Sequence, residues 1–203
     1  MRRITTIVLG IVAIGAFCVF AYTLIHALWY APETTGPVPA SIASSSPALS
    51  VAPGEYPSRL IIPALSIDAH VQDLGINSIG NMQAPDNFVD VGWYKYGAVP
   101  GYTGSAVIDG HVDNGLGLAG VFIHLDQIQV GDDVYIKAIN GTMLHFVVSD
   151  VEIYPYKSVP TDLIFNQNDS ARLNLITCDG TWVHGQDTYN ERLVVFTKLV
   201  GQS

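Results

Sequence analysis

The N-terminal thirty residues constrain the fold of this chain most strongly. After Met1-Arg2-Arg3, the run 4–30 contains no Asp, Glu, Lys or Arg. A helix needs roughly 20 apolar residues to cross about 30 Å of bilayer hydrocarbon. Residues 1–30 are therefore predicted to form a transmembrane helix that serves as a signal anchor.

A cleaved secretory signal is the main alternative for this segment. Such signals have an apolar stretch of roughly 7–15 residues, followed closely by a cleavage site with small residues. Here the apolar run is longer and ends at Leu28-Trp29-Tyr30, whose aromatic rings suit a membrane interface. We therefore favour an uncleaved, single-pass anchor. Arg2 and Arg3 are the only basic residues near it, which predicts a cytoplasmic N-terminus and an external C-terminal part.

The residues after the anchor divide into a linker and a domain. Residues 31–56 contain five prolines, three consecutive serines and no basic residue, which predicts a Pro/Ser-rich tether without a core of its own. Residues 57–203 have the length of one domain. Their 7 basic and 16 acidic residues give a formal charge of −9. An acidic domain does not attract nucleic acid by charge, so a nucleic-acid partner is excluded on this basis.

Short strands separated by turns are predicted throughout the domain. Asn140-Gly141 lies between two of them and is a strong hairpin signal. Helical signals are weak, with one or two turns predicted at 160–165. At least seven short strands with little helix predict a mainly β domain, as a mostly antiparallel barrel or sandwich. The predicted strands are 59–62, 69–74, 105–109, 134–139, 143–148 (with 150–154 as a continuation or a new strand), 172–177 and 192–200.

The cysteine content leaves one thiol outside the predicted membrane span. The chain has only Cys18 and Cys178, and Cys18 lies within the span, so the two are not expected to form a disulfide. External cysteines are usually paired, which makes a lone external thiol unusual. Taken alone, Cys178 is either a small buried hydrophobic residue or a reactive thiol.

Three polar residues at predicted strand ends have complementary chemistry. His111 follows Gly110 at the end of one strand, where the glycine is expected to let the chain turn and expose the imidazole. Cys178 ends the apolar strand Leu175-Ile-Thr-Cys and precedes a predicted turn at Asp179-Gly180, while Arg192 begins the last strand. In acyl transfer, a thiol attacks, an imidazole transfers protons and a cation stabilises the oxyanion. Their spacing in the sequence does not show whether the three side chains lie close together in the fold.

The order and spacing of these motifs resemble the sortases, which are wall-anchoring cysteine transpeptidases. The resemblance covers residues 57–203 and departs at Asn174, where the family often has threonine. It implies a closed, eight-stranded β-barrel with short helices. It also implies that Cys178 is the nucleophile, that His111 transfers protons and that Arg192 stabilises the oxyanion or the substrate. No cofactor and no metal enter this chemistry.

The resemblance also implies the substrates and the location of the protein. The substrates are secreted proteins with a C-terminal sorting signal of the Leu-Pro-x-Thr-Gly type, cleaved between Thr and Gly through an acyl-thioester. The acceptor is an amine of a peptidoglycan precursor, in a Gram-positive-type envelope. The stretch Thr177-Cys-Asp-Gly-Thr-Trp182 is most similar to the class E or F group. Thr177 and His184 are further candidates for substrate binding.

Two other classes of function are considered for this sequence. An L,D-transpeptidase is also an external, β-rich wall enzyme that uses Cys and His, but its cysteine usually lies in a Ser-x-Gly-Cys context that is missing around Cys178. A membrane-tethered β-barrel that binds wall or protein ligands without catalysis would need no reactive thiol. Blocking Cys178 distinguishes these classes, because a binding module keeps its ligand after the thiol is alkylated.

Overall fold

The structure, a computed structural model, describes residues 2–29, 38, 51–114, 116–186 and 188–202. Helix α1 (Arg2–Trp29) contains the segment Thr6–Ile25, which is long and apolar enough to cross a membrane by length and composition. The predicted tether, residues 31–56, lies mostly outside the described residues.

Residues 57–202 form a closed barrel of eight strands, which confirms the predicted fold class. The order around the barrel is β1-β2-β3-β4-β7-β8-β6-β5, with parallel pairing between β2 and β3 and between β4 and β7. The other neighbouring strands are antiparallel. A short helix α2 (Thr161–Phe165) connects β6 to β7. The strands are β1 (Pro57–Ile62), β2 (Ile67–Leu74), β3 (Val91–Tyr94), β4 (Gly104–Asp109), β5 (Asp133–Ala138), β6 (Met143–Pro155), β7 (Ala171–Val183) and β8 (Thr188–Gln202).

The predicted strands differ from the observed ones in two ways. Strand β3 was not predicted because it has only four residues and contains Gly92, a residue type that is depleted in strands. The prediction that β7 ends at Cys178 and that β8 begins at Arg192 was wrong. Both strands continue as a hairpin, and a change of register between Asp179 and Trp182 accommodates Gly180 at φ +82°.

Apolar residues at alternate positions along the strands form a first apolar cluster inside the barrel. On β7, Leu173 and Leu175 point inward, and on β8, Leu193 and Val195 do the same. We call this set the interior cluster. It also includes Leu60, Ile62, Ala106, Ile108, Val134, Ile136, Leu144 and Phe146 from the other strands.

A second apolar cluster covers the opposite face of β4, β7 and β8. It consists of Val107, Ile176, Val194 and Phe196 on the strands, covered by segments from elsewhere in the chain. One of these is Val38, which is buried and whose backbone N–H donates to the Gly80 carbonyl at 2.9 Å. We call this set the outer cluster, which also contains Leu74, Met82, Tyr94, Ile164 and Phe165.

Candidate active site

Cys178 and Arg192 lie at the edge of the outer cluster. The two residues are directly opposite each other in the antiparallel pairing of β7 and β8. Opposite residues of an antiparallel pair have Cβ atoms about 4.5–5.5 Å apart, and their side chains leave the sheet on the same face. Cys178 is two residues beyond Ile176, and Arg192 two residues before Val194, so both point to the outer face. The fold thus brings together a thiol and a guanidinium that are 14 residues apart in sequence.

His111 follows the end of β4, the strand next to β7. The two strands pair in parallel up to Asp109 and Ile176, and the backbone N–H of Gly110 donates to the Ile176 carbonyl at 3.3 Å. The hydroxyl of Thr177 donates to the Gly110 carbonyl at 2.7 Å. These bonds hold the start of the His111 loop against the segment that carries Cys178.

The imidazole of His111 is held on one side by the loop between β2 and β3. Its Nε2 lies 2.9 Å from the Pro85 carbonyl, and Phe88 packs against the ring with a centroid distance of 5.0 Å. Because a carbonyl only accepts hydrogen bonds, Nε2 carries the proton of the neutral ring, and Nδ1 is the nitrogen that accepts a proton. Burial lowers the pKa of His111, although the Pro85 carbonyl and the Asp113 carboxylate partly offset that effect.

The site is closed to solvent in this structure. Cys178 is 1% exposed, His111 is 2% exposed and Arg192 is 3% exposed. The expectation that His111 is exposed at its strand end was therefore wrong. Phe88 and the Pro85 carbonyl pack against its ring, and its own carbonyl accepts from the backbone N–H of Phe122 at 2.9 Å. A substrate must displace part of the surrounding surface to reach the thiol.

Burial dominates the ionisation of the thiol. It raises the pKa of Cys178 to about 12, even though Arg192 and a backbone hydrogen bond from Tyr189 lower it. The nearby carboxylates of Asp109 and Asp113 raise it further. At neutral pH the resting thiol is therefore protonated, and the imidazole with its lowered pKa is neutral.

The guanidinium of Arg192 is fixed by several hydrogen bonds to its own strand. It donates to the carbonyls of Tyr189 at 3.0 Å and Glu191 at 2.7 Å, and to the hydroxyl of Thr188 at 2.8 Å. The ring of Tyr156 lies 5.6 Å from the guanidinium carbon, which adds a cation–π contact. These contacts give the planar cation one orientation beside Cys178.

The structure also places the two remaining predicted residues. Thr177 is buried, and its hydroxyl bonds to the Gly110 carbonyl as described above. His184 is exposed in the turn of the β7–β8 hairpin. A role of either residue in substrate binding stays a prediction. In the described parts of the chain, no three His, Cys, Asp or Glu side chains are grouped so that they would hold a metal ion.

Sequence reasoning missed several polar residues around the three candidates. Asp109 is fully buried on β4, and it raises the pKa of Cys178. Asp113 accepts a hydrogen bond of 2.6 Å from the hydroxyl of Tyr189. The one available signal was proximity in sequence, because Asp109 and Asp113 flank His111 at two residues on each side.

Comparisons with known proteins agree with this architecture. A family model described as sortase domain matches residues 60–200. The structure is similar to sortase C-1 from Actinomyces oris, with 23% identity and a TM-score of 0.55 over 70% of this chain and 72% of that one. It is also similar to sortase A from Corynebacterium diphtheriae, with 21% identity and a TM-score of 0.54 over 72% of this chain and 61% of that one.

A third similar structure is a lid mutant of sortase C1 from Streptococcus agalactiae. It has 25% identity to this chain and a TM-score of 0.55, over 80% of this chain and 82% of that one. Among curated proteins, none matches this chain by sequence. The domain match thus identifies the family, and the solved structures support the fold.

Proposed function

Because the chain belongs to the sortase family, we propose that it cleaves a sorting motif of the Leu-Pro-x-Thr-Gly type between Thr and Gly and transfers the protein to a cell-wall amine. The observation that carries this proposal is the pairing of Cys178 with Arg192 on the outer face, beside the loop of His111. Thiol, cation and imidazole are the three groups that acyl transfer through a thioester requires.

The first half of the proposed reaction forms the thioester. The Cys178 sulfur attacks the threonine carbonyl carbon, while the thiol proton passes to Nδ1 of His111. The resting thiol and imidazole are both neutral, so we expect this transfer to accompany attack on a bound substrate. Arg192 stabilises the negative charge on the carbonyl oxygen. The C–N bond then breaks, and the imidazolium gives its proton to the departing glycine amine.

The second half releases the product and restores the enzyme. An amine of a peptidoglycan precursor attacks the thioester carbonyl and loses a proton to His111. The carbon–sulfur bond breaks, a new amide bond forms, and the proton returns to the Cys178 sulfur. The step needs no group beyond the thiol, the imidazole, the cation and the incoming amine.

We further propose that α1 anchors the protein in the membrane with its N-terminus in the cytoplasm and the barrel outside. The length and composition of Thr6–Ile25 support a membrane span, and Arg2 and Arg3 support this orientation. Residues 31–56 would then connect the anchor to the domain. Protease added to intact cells should remove the barrel, and full protection of the barrel would refute this orientation.

The proposed reaction is tested with the full-length protein in detergent. The enzyme is mixed with a peptide containing Leu-Pro-x-Thr-Gly and with triglycine, and the products are identified by mass spectrometry. We expect a new peptide that ends in threonine joined to triglycine, and no such product from Cys178→Ala. A product that survives Cys178→Ala would refute the mechanism. Ligand binding without turnover, retained after alkylation, would favour a non-catalytic binding module.

A further inference from the structure

Tyr189 contacts the surroundings of all three candidate catalytic residues. Its backbone lowers the pKa of the Cys178 thiol and so favours the thiolate. Its carbonyl accepts from Arg192 at 3.0 Å. Its hydroxyl reaches across to the loop of His111 and donates to the Asp113 carboxylate at 2.6 Å. The side chain of Tyr189 thus links the β7–β8 hairpin to the His111 loop.

Hydrogen bonds on both sides of His111 hold its loop against the β7–β8 hairpin. On the N-terminal side, Gly110 donates to the Ile176 carbonyl and accepts from the Thr177 hydroxyl. On the C-terminal side, Asp113, two residues after His111, accepts from the hydroxyl of Tyr189, 76 residues away in sequence. All three partners belong to the hairpin that carries Cys178 and Arg192. The position of His111 relative to the thiol therefore depends on the bond from Tyr189 as well as on the bonds to Gly110.

The hydroxyl of Tyr189 and its ring have separate partners. The ring packs edge-on against Trp182, with a centroid distance of 5.4 Å, within the hairpin itself. Burial and the Asp113 carboxylate raise the pKa of Tyr189, so its hydroxyl remains a donor throughout the neutral range. Removing the oxygen alone should leave the hairpin packed and break only the bond to the His111 loop.

We infer that Tyr189, through its hydroxyl bond to Asp113, is a positioning residue that holds the His111 loop at the distance proton transfer requires. Proton transfer needs heavy atoms within hydrogen-bond reach, and a displacement of about 1 Å costs up to about a hundredfold in rate. The kinetic consequence rests on the proposed transpeptidation, whereas the structural role does not. The two are therefore tested separately.

The kinetic test compares four full-length variants in the assay described above. Tyr189→Phe should lower kcat about tenfold to a hundredfold with little change in KM, as expected for losing a hydrogen bond to a charged group. In an Asp113→Ala background, the same substitution should have almost no further effect, because its partner is already gone. Tyr135→Phe, on β5, is the matched control and should behave like the wild type. An unchanged kcat for Tyr189→Phe, or an equal loss in both backgrounds, would overturn the inference.

A second measurement does not depend on the substrate. Hydrogen exchange of backbone amides reports local opening of a segment. In Tyr189→Phe, the amides of residues 111–114 should exchange about tenfold faster than in the wild type, with exchange in β5 and β6 unchanged. Tyr135→Phe should show no change at residues 111–114. If the wild type fails to turn over, the proposed function is refuted and exchange alone decides the role of Tyr189. Unchanged exchange at residues 111–114 would overturn that role.

Discussion

The interior and outer clusters bury similar kinds of side chains but are built in different ways. The interior cluster is formed mainly by alternate residues of strands, such as Leu173 and Leu175. The outer cluster joins the other face of three strands to distant segments, including Val38, Met82 and Ile164. The interior cluster closes the barrel, whereas the outer cluster continues along the strands to Cys178 and Arg192. The comparison suggests that the interior determines stability and that the edge of the outer cluster determines chemistry.

The largest expected effect concerns the rate at which the Cys178 thiol is alkylated. This thiol lies at the edge of the outer cluster and is buried from solvent. Because burial raises the pKa of Cys178 to about 12, the residue is almost entirely a neutral thiol at pH 7. Alkylation by a neutral electrophile should therefore be slow at pH 7 and keep rising above pH 10. The measurement uses Cys18→Ser, which leaves Cys178 as the only thiol. A midpoint below about pH 6 would show that Cys178 is instead a stabilised thiolate, as in papain-like sites.

Arg192 should affect activity far more than stability. Arg192→Ala should lower kcat/KM on the order of 10²–10³-fold, as for loss of an oxyanion donor. Arg192→Lys should be nearly as damaging, because a lysine cannot reproduce the planar contacts to Tyr189, Glu191 and Thr188. Steady-state kinetics of both variants test this, with Arg172→Lys as a control at an exposed ion pair with Asp169. Near-wild-type kinetics for Arg192→Lys would show that the planar shape of the guanidinium does not matter at this position.

A substitution in the interior cluster should affect stability far more than activity. Leu175 is fully buried inside the barrel, so Leu175→Ala should lower the free energy of unfolding by about 2–5 kcal/mol. The folded fraction should keep most of its activity, since Leu175 points away from the outer face. Denaturant unfolding and active-site-normalised kinetics measure the two effects. A large loss of kcat in the folded fraction would remove the distinction between the clusters.

The smallest effect is expected at Val38. This residue precedes the barrel in sequence and belongs to the outer cluster. Val38→Ala removes two buried methyl groups and should lower the free energy of unfolding by about 1–2 kcal/mol. Val130→Ala is the control, because Val130 is largely exposed. Equal, negligible effects for both variants would show that Val38 does not stabilise the domain in solution.

The same contrast explains how much of the fold was predictable from the sequence. Strands such as β5 and β6 alternate apolar and polar residues around Asn140-Gly141, and that hairpin is present as predicted. Strand β3 was missed because its four residues include Gly92 and are too few to show a strand pattern. The parallel pairing of β4 with β7 is long-range, so no local pattern indicates it.

At the candidate site, the sequence predicted the residue types but not the contacts that hold these side chains in place. The resemblance to sortases singled out Cys178, His111 and Arg192, and the fold brings together the segments that carry them. The Pro85 carbonyl holds His111 through a backbone atom, which leaves no signal in the choice of side chain. The bond from Tyr189 to Asp113 depends on two loops meeting in space. Such contacts follow from tertiary structure and not from periodicity.

The proposed function depends on an acyl-thioester between Cys178 and the substrate, which intact-protein mass spectrometry detects. Full-length Cys18→Ser is incubated with a Leu-Pro-x-Thr-Gly peptide in the absence of an amine acceptor and quenched in acid. We predict a mass increase equal to the peptide up to its threonine, located on the fragment that contains Cys178 and removed by hydroxylamine. Turnover without any adduct on Cys178, or an adduct on another residue, would show that Cys178 is not the nucleophile.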